Sequence, residues 1–225
     1  MLFLAVFCGF LAEYALEHKI EGNRERQYAL SMVEDLKLDT AALNRIIPLR
    51  TRRIDMLDSL SLLLNEAENS TKLSDLYFYS FATTRIAMVQ HVSNDRTIQQ
   101  LKNSGSLRLI RNKIVSDAII LYDRQVRRLE NIKDREEENL RVLKPYTLKI
   151  FDGNIYDSIL TRDDRTKRPT GNPALLQYTQ GDLNGFIGAL YYLKASNIAY
   201  RMFSIDLSNK AVSTMNTIKE EYHLK

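Results

Sequence analysis

The chain has 225 residues, enough for one large domain or two small ones, and its 44% apolar content is sufficient to bury a proper core, which excludes disorder as its main state. Its 32 basic and 28 acidic residues leave a net charge of only +4 on a mixed surface, so no strong single-sign field is available for nucleic acid or anionic lipid. A single cysteine, Cys8, excludes an intrachain disulfide and leaves the redox compartment open.

Met1 to Ala12, MLFLAVFCGFLA, carries no charge, and Glu13 is the first ionisable side chain. Twelve helical residues reach about 18 Å against the ~30 Å of a hydrocarbon core, so the run is expected to be part of a longer transmembrane helix into which Met1 falls. A signal peptide is the second reading, although no Lys or Arg precedes the run and no clean cleavage site follows it. The third reading is a buried or partner-binding helix of a soluble fold. The collar beyond it, His18, Lys19, Glu21, Arg24, Glu25 and Arg26, is too mixed in sign to set an orientation.

Glycine and proline, the helix breakers, are unevenly spread. No glycine stands between Asn23 and Ser104, between Ser106 and Asp152, or between Ala189 and Lys225. From Tyr28 the apolar positions Met32, Leu36, Ala42 or Leu43 and Ile47 keep helical spacing, and Pro48 predicts a kink or short break. The pattern resumes through Ile54, Leu57, Leu60, Leu63 and Leu64 and stops in the polar run from Asn65 to Thr71. An aromatic-rich helix is expected from about Ser74 to Gln90. A short helix from Thr97 to Asn103 follows, capped by Asn94 or Asp95 and ended by Gly105 in the left-handed conformation.

Ser106 offers a fresh start. From Leu107 to Phe151 a stripe through Ile110, Ile114, Ala118, Leu121, Tyr122, Val126, Leu129, Ile132, Leu140, Leu143 and Thr147 predicts a helix of about 60 Å with a kink at Pro145. Five of the eight glycines and two of the four prolines then fall between Gly153 and Gly188, so a long loop near 153–181 is expected, functional or poorly ordered. The last helix starts near Asp182 and carries Leu183, Ile187, Leu190, Ile198, Met202, Ile205, Val212, Met215 and Tyr222. Such stripes cannot be hidden singly. The expected fold is therefore all-α, an elongated up-and-down helical bundle with antiparallel coiled-coil contacts, with residues 1–18 as part of a transmembrane helix and 19–225 as the bundle domain.

Two stretches, FLAVFCGFLAEYALEH…RERQYALSMVEDLKLDT (Phe3 to Thr40) and TIQQLKNSGSLRLI (Thr97 to Ile110), resemble an uncharacterised Bacteroidota family in which one N-terminal transmembrane helix leads into a helical region. The resemblance covers the first half best. It implies a single-pass anchor with the bundle in the periplasm, and no catalytic residues to carry over.

The site candidates read mostly as structure. His18, His91 and His223 lack ligand-spaced partners, so no metal is expected. Asp134, Glu136, Glu137 and Glu138 read as solvated helix surface, since a di-metal bundle needs Glu-x-x-His pairs that are absent. No G-x-S-x-G elbow activates a serine. Tyr77, Phe78, Tyr79 and Phe81, with Tyr191, Tyr192, Tyr200 and Phe203, read as helix-interface packing, the other reading being a small-molecule pocket. Arg124, Arg127, Arg128, Arg162, Arg165, Lys167 and Arg168 read as surface or a partner contact, and Leu107, Leu109 and Ile110 as a structural corner. No catalytic, cofactor-binding or metal residues and no cofactor are expected. The partners expected are lipid at the N-terminus and a protein or a second copy, not nucleic acid. A membrane-anchored structural or interaction module is the leading reading, and a ligand-sensing extracytoplasmic bundle the alternative. An enzyme survives only if the loop from Asp152 to Gly181 hides a site.

Overall fold

A computed structural model describes residues 2–65, 71–87, 89–103 and 105–224, with side chains from residue 6 onward. The centre of the polar run at 66–70, and Met1, lie outside the described residues. The described chain is all-helical: α1 (Leu2–Asn65), α2 (Leu73–Ala87), α3 (Arg96–Asn103), a 3-10 turn (Ser106–Leu109), α4 (Lys113–Ile150), α5 (Gly153–Ile159) and α6 (Gln180–Glu221). These helices pack together, as their amphipathic stripes require.

Pro48 and Pro145 do not interrupt their helices. A proline in a helix interior costs about 3 kcal/mol. Both rings are exposed, so the opposite, buried face of each helix keeps its packing and outweighs that cost. The chain divides into two compact units, one of Met1–Ala42, Val92–Val126 and Asp206–Lys225, the other of Leu43–His91 and Arg127–Ile205.

In the first unit, three carboxylates of α1 fix the segments around α3. Asp35 accepts from the Thr97 amide at 3.0 Å and the Thr97 hydroxyl at 2.5 Å, so the first turn of α3 is capped from α1 and not by Asn94 or Asp95 as expected. Asn94 is used elsewhere: its backbone and side-chain N–H groups both donate to Asp39 at 2.7 Å, and the buried Tyr122 hydroxyl donates to the same carboxylate. Burial first, then the Asp39 charge, push the Tyr122 phenol well above its usual pKa. Glu25 accepts from the Arg111 amide at 2.7 Å and the Tyr222 hydroxyl at 2.6 Å.

Gly105 takes the left-handed conformation its place demands (φ 64), but α4 begins at Lys113 instead of Leu107. Glu25 holds the backbone at Arg111 out of helical hydrogen bonding. Asn112 then caps the new start, its Oδ1 accepting from the Val115 amide at 3.2 Å.

In the second unit, Leu57, Leu60, Leu64, Tyr77, Phe151, Phe186 and Leu190 belong to one apolar cluster. The expected loop holds a helix of its own, α5, whose first turn is capped by Asp152. The remainder, from Leu160 to Thr179, is pinned along its length. Leu160 bridges Thr166 around a turn with Asp164 at φ 62. Ser74 donates to the Pro169 carbonyl at 2.7 Å, Asn172 accepts from the Leu73 amide at 2.7 Å, and Tyr77 donates to the Ala174 carbonyl at 3.0 Å. α6 starts on a reciprocal capping box: Thr179 Oγ1 accepts from the Asp182 amide while Asp182 accepts from the Thr179 amide, both at 3.1 Å.

Candidate functional site

Buried positions recur every seven residues on the three long helices. On α1 they are Ala29, Leu36, Leu43, Arg50, Leu57 and Leu64; on α4, Val115, Tyr122, Leu129, Glu136, Leu143 and Ile150; on α6, Leu183, Leu190, Asn197, Ser204, Ala211 and Ile218. A seam of this kind is ordinarily apolar. In the second unit, Ser204 apart, it is broken by a polar layer made of Arg50, Arg53, Glu136 and Asn197, all fully buried.

Arg50 Nη1 donates to both oxygens of Glu136 at 2.7 Å, and Arg53 Nη1 donates to Glu136 Oε1. Asn197 Oδ1 accepts from both guanidinium groups at 3.2 Å, while its amide donates to the Arg50 carbonyl at 3.1 Å. The outer edges of the arginines reach the backbone: Arg53 Nε donates to the Thr83 carbonyl at 2.7 Å and Arg50 Nη2 to the Val89 carbonyl at 2.9 Å. These bonds hold the C-terminal half of α2 and the chain after it against α1. The Arg50 guanidinium lies 3.9 Å from the Tyr200 ring centre, and the Tyr200 hydroxyl accepts from the His91 amide at 2.8 Å.

One carboxylate serves two buried cations. Arg50 Nε and Arg53 Nη2 have no hydrogen-bond partner among the described residues. Desolvation, opposed by Glu136 and reinforced by the Arg50 charge, pushes the Arg53 guanidinium down to about 10, so it stays charged at neutral pH. Burial likewise raises the Tyr200 phenol.

Glu136 therefore corrects the reading of the acidic run as solvated surface. Its neighbours do fit that reading in part: Asp134 is exposed, Glu138 is exposed beside Arg141, and the half-buried Glu137 accepts from Gln90 at 3.4 Å. The signal for Glu136 is its place, seven residues from both Leu129 and Leu143. The aromatic set also divides. Tyr77 and Tyr200 are fully buried, and Phe78, Tyr79, Phe81 and Phe203 are half-buried. Tyr191 and Tyr192, expected in an interface, are 67% and 64% exposed. The three histidines stay apart: His18 is exposed near Glu21, His91 is buried, and His223 lies just past α6. Among the described residues no three His, Cys, Asp or Glu side chains form a group able to hold a metal ion.

At the other extreme of accessibility stands the N-terminal part of α1. Every residue from 6 to 20 is exposed, including Val6, Phe7, Phe10, Leu11, Tyr14, Leu16 and Ile20, with Phe10 at 68%. No helix among the described residues is long and apolar enough to cross a membrane. No family model, curated protein or solved structure matches the chain.

Proposed function

We propose that this chain is a membrane-associated helical module that binds partners or holds structure instead of catalysing a reaction. The observation that carries the reading is the exposed apolar run of α1. Burying a single Phe or Leu side chain is worth about 1.5–3 kcal/mol, and Val6, Phe7, Phe10 and Leu11 are each more than half exposed. Hydrocarbon is the environment that would remove them from water together, with Tyr14 at the level of the headgroups. The resemblance to the Bacteroidota family supports a single-pass anchor and a periplasmic bundle. A protein partner or a second copy is the expected occupant of the bundle's outer faces, where Leu62, Tyr191 and Tyr192 are each at least 64% exposed. The polar groups of the core spend most of their hydrogen bonds on one another, which suits holding helices together better than turning over a substrate.

The test is co-flotation with phospholipid vesicles, comparing the chain with a variant carrying Phe7→Glu, Phe10→Glu and Leu11→Glu. The unaltered chain is expected to float with the lipid and the variant to stay in the dense fraction. Recovery of the unaltered chain in the dense fraction would refute the attachment.

A further inference from the structure

The second unit carries a cleft whose charges are not all used internally. Two cavities of about 410 and 280 Å³ share Arg52, Met56 and Phe78 as lining residues, and the larger lies in the size range of small-molecule sites. The walls are α1 and α2, with the turn around Asp164 and Arg165 along one side. The floor is apolar: Leu49, Met56, Phe78, Ala82, Ile86 and Val89. The wall is rigidly backed, because the carbonyls of Thr83 and Val89 are the ones seized by the buried Arg53 and Arg50.

Four arginines line the cleft, and three are already held. Arg85 pairs with Asp164 at 2.6 Å, Arg165 with Asp163 at 3.1 Å, and Arg168 with Asp75 while its guanidinium lies 4.6 Å from the Phe78 ring centre. Arg52 has no ion-pair partner among the described residues, and neither does Asp55. Both line the smaller cavity. Although three apart on one helix, where opposite charges commonly meet, they do not pair with each other. One unspent guanidinium and one unspent carboxylate thus share one end of a cleft whose floor is apolar and whose other charged groups, Arg85 with Asp164 and Arg165 with Asp163, are already paired. The hydroxyl of Ser59, beside them, already donates to the Asp55 carbonyl at 2.9 Å and offers a ligand only acceptor lone pairs.

That arrangement complements a small zwitterion with an oily tail. A monoanion would satisfy Arg52 and meet Asp55 as a like charge, and a cation would do the reverse. A phosphate, with two charges, would face Asp55 and Asp164 together. We propose that the cleft binds an α-amino acid with an apolar side chain, its carboxylate on Arg52, its ammonium on Asp55 and its side chain over Met56, Phe78 and Ile86. The planar guanidinium fork suits a carboxylate in two-bond geometry. This site is independent of membrane attachment.

The test uses the full chain in detergent and isothermal titration with L-leucine, L-methionine and L-phenylalanine. N-acetyl-L-leucine, which lacks the ammonium, and L-leucinamide, which lacks the carboxylate, serve as analogues. At least one amino acid is expected to bind saturably, and for leucine each analogue should bind about tenfold more weakly or worse, the worth of one charge-assisted hydrogen bond. Arg52→Gln should erase the preference for leucine over leucinamide and leave that over the N-acetyl form; Asp55→Asn should do the opposite. Both side chains are exposed, so circular-dichroism melting should be unchanged in either variant. Absence of saturable binding by all three amino acids, equal binding of the analogues, or unchanged preferences in both variants would overturn the proposal.

Discussion

Replacing Glu136 by glutamine tests the polar layer directly. Glutamine keeps the size of the side chain and leaves no cavity, but it removes the one carboxylate that, among the described residues, pairs with Arg50 and Arg53, both fully buried. Taking one partner from a buried ion pair costs about 3–5 kcal/mol, because the cation left behind has lost water and gained nothing. Here two cations share the loss, and the Gln amide would also turn N–H groups toward a donor. About 4 kcal/mol is therefore expected, against the roughly 5–15 kcal/mol that holds a typical domain. For a chain of this size that corresponds to a fall in Tm of about 10 °C. The assay is far-UV circular dichroism against temperature and urea. The triple variant Arg50→Met, Arg53→Met, Glu136→Met removes all three charges and should recover part of the loss, stopping short of the unaltered chain because Asn197 Oδ1 and the Thr83 and Val89 carbonyls lose their arginine donors. A fall of less than about 2 °C in the single variant, or a triple variant no better than the single one, would refute the account.

Other expectations follow from the same structure. Asp182 is held by the Lys149 ammonium and then by the Thr179 hydroxyl and amide, so its carboxyl sits at about 2, below the ordinary 3.8. A depressed carboxylate contributes stability in full above 3.8 and loses it as pH falls through about 2. A carbon-detected NMR titration should show that midpoint, and Thr179→Val should move it upward. Gly105→Ala should cost about 1–2 kcal/mol through its left-handed φ alone, since a Cβ there meets nothing within 4 Å, while Gly105→Asn should cost less; urea denaturation separates them. Gly185→Ala should fail differently, because its Cβ would strike the Tyr146 ring, with Cζ at 2.6 Å, and lower Tm by forcing that ring aside. Asp35→Ala should unpin α3, seen as faster amide exchange from Thr97 to Leu101, with α6 unchanged.

The helices were legible because apolar side chains recur at helical spacing, and the breaks at Gly105 and near Asp152 because glycine and capping residues mark them. The phase of the stripes was less so. On α6 the apolar count favours Ile198, Met202 and Val212, which are exposed, because the buried seam there holds Asn197, Ser204 and Thr214. On α4, Ile114 and Leu121 are exposed while Val115 and Ile119 are buried, because the buried seam runs through Val115, Tyr122 and Leu129 and leaves apolar residues beside it in water. A tally of oily residues cannot assign a face on which polar groups are buried in pairs, and each pairing spans a long stretch of chain: Arg50 to Glu136 is 86 residues. The same limit hid the capping of α3 by Asp35, 62 residues away. Arg52 and Asp55 were unremarkable in sequence. Only the packing of α2 and the turn at Asp164 beside them makes a cleft.

A seam that repeats every seven residues has an ambiguity: one helix can slide by seven and still match oil to oil. The layer of Arg50, Arg53, Glu136 and Asn197 removes it. Displaced by one repeat, Glu136 would leave the arginines and face the leucines that flank them at Leu43 or Leu57, three charges would be stranded, and the slipped alignment would lie several kcal/mol above the native one. The arginine layer thus acts as an index mark, selecting a single alignment among several that the leucines alone would accept.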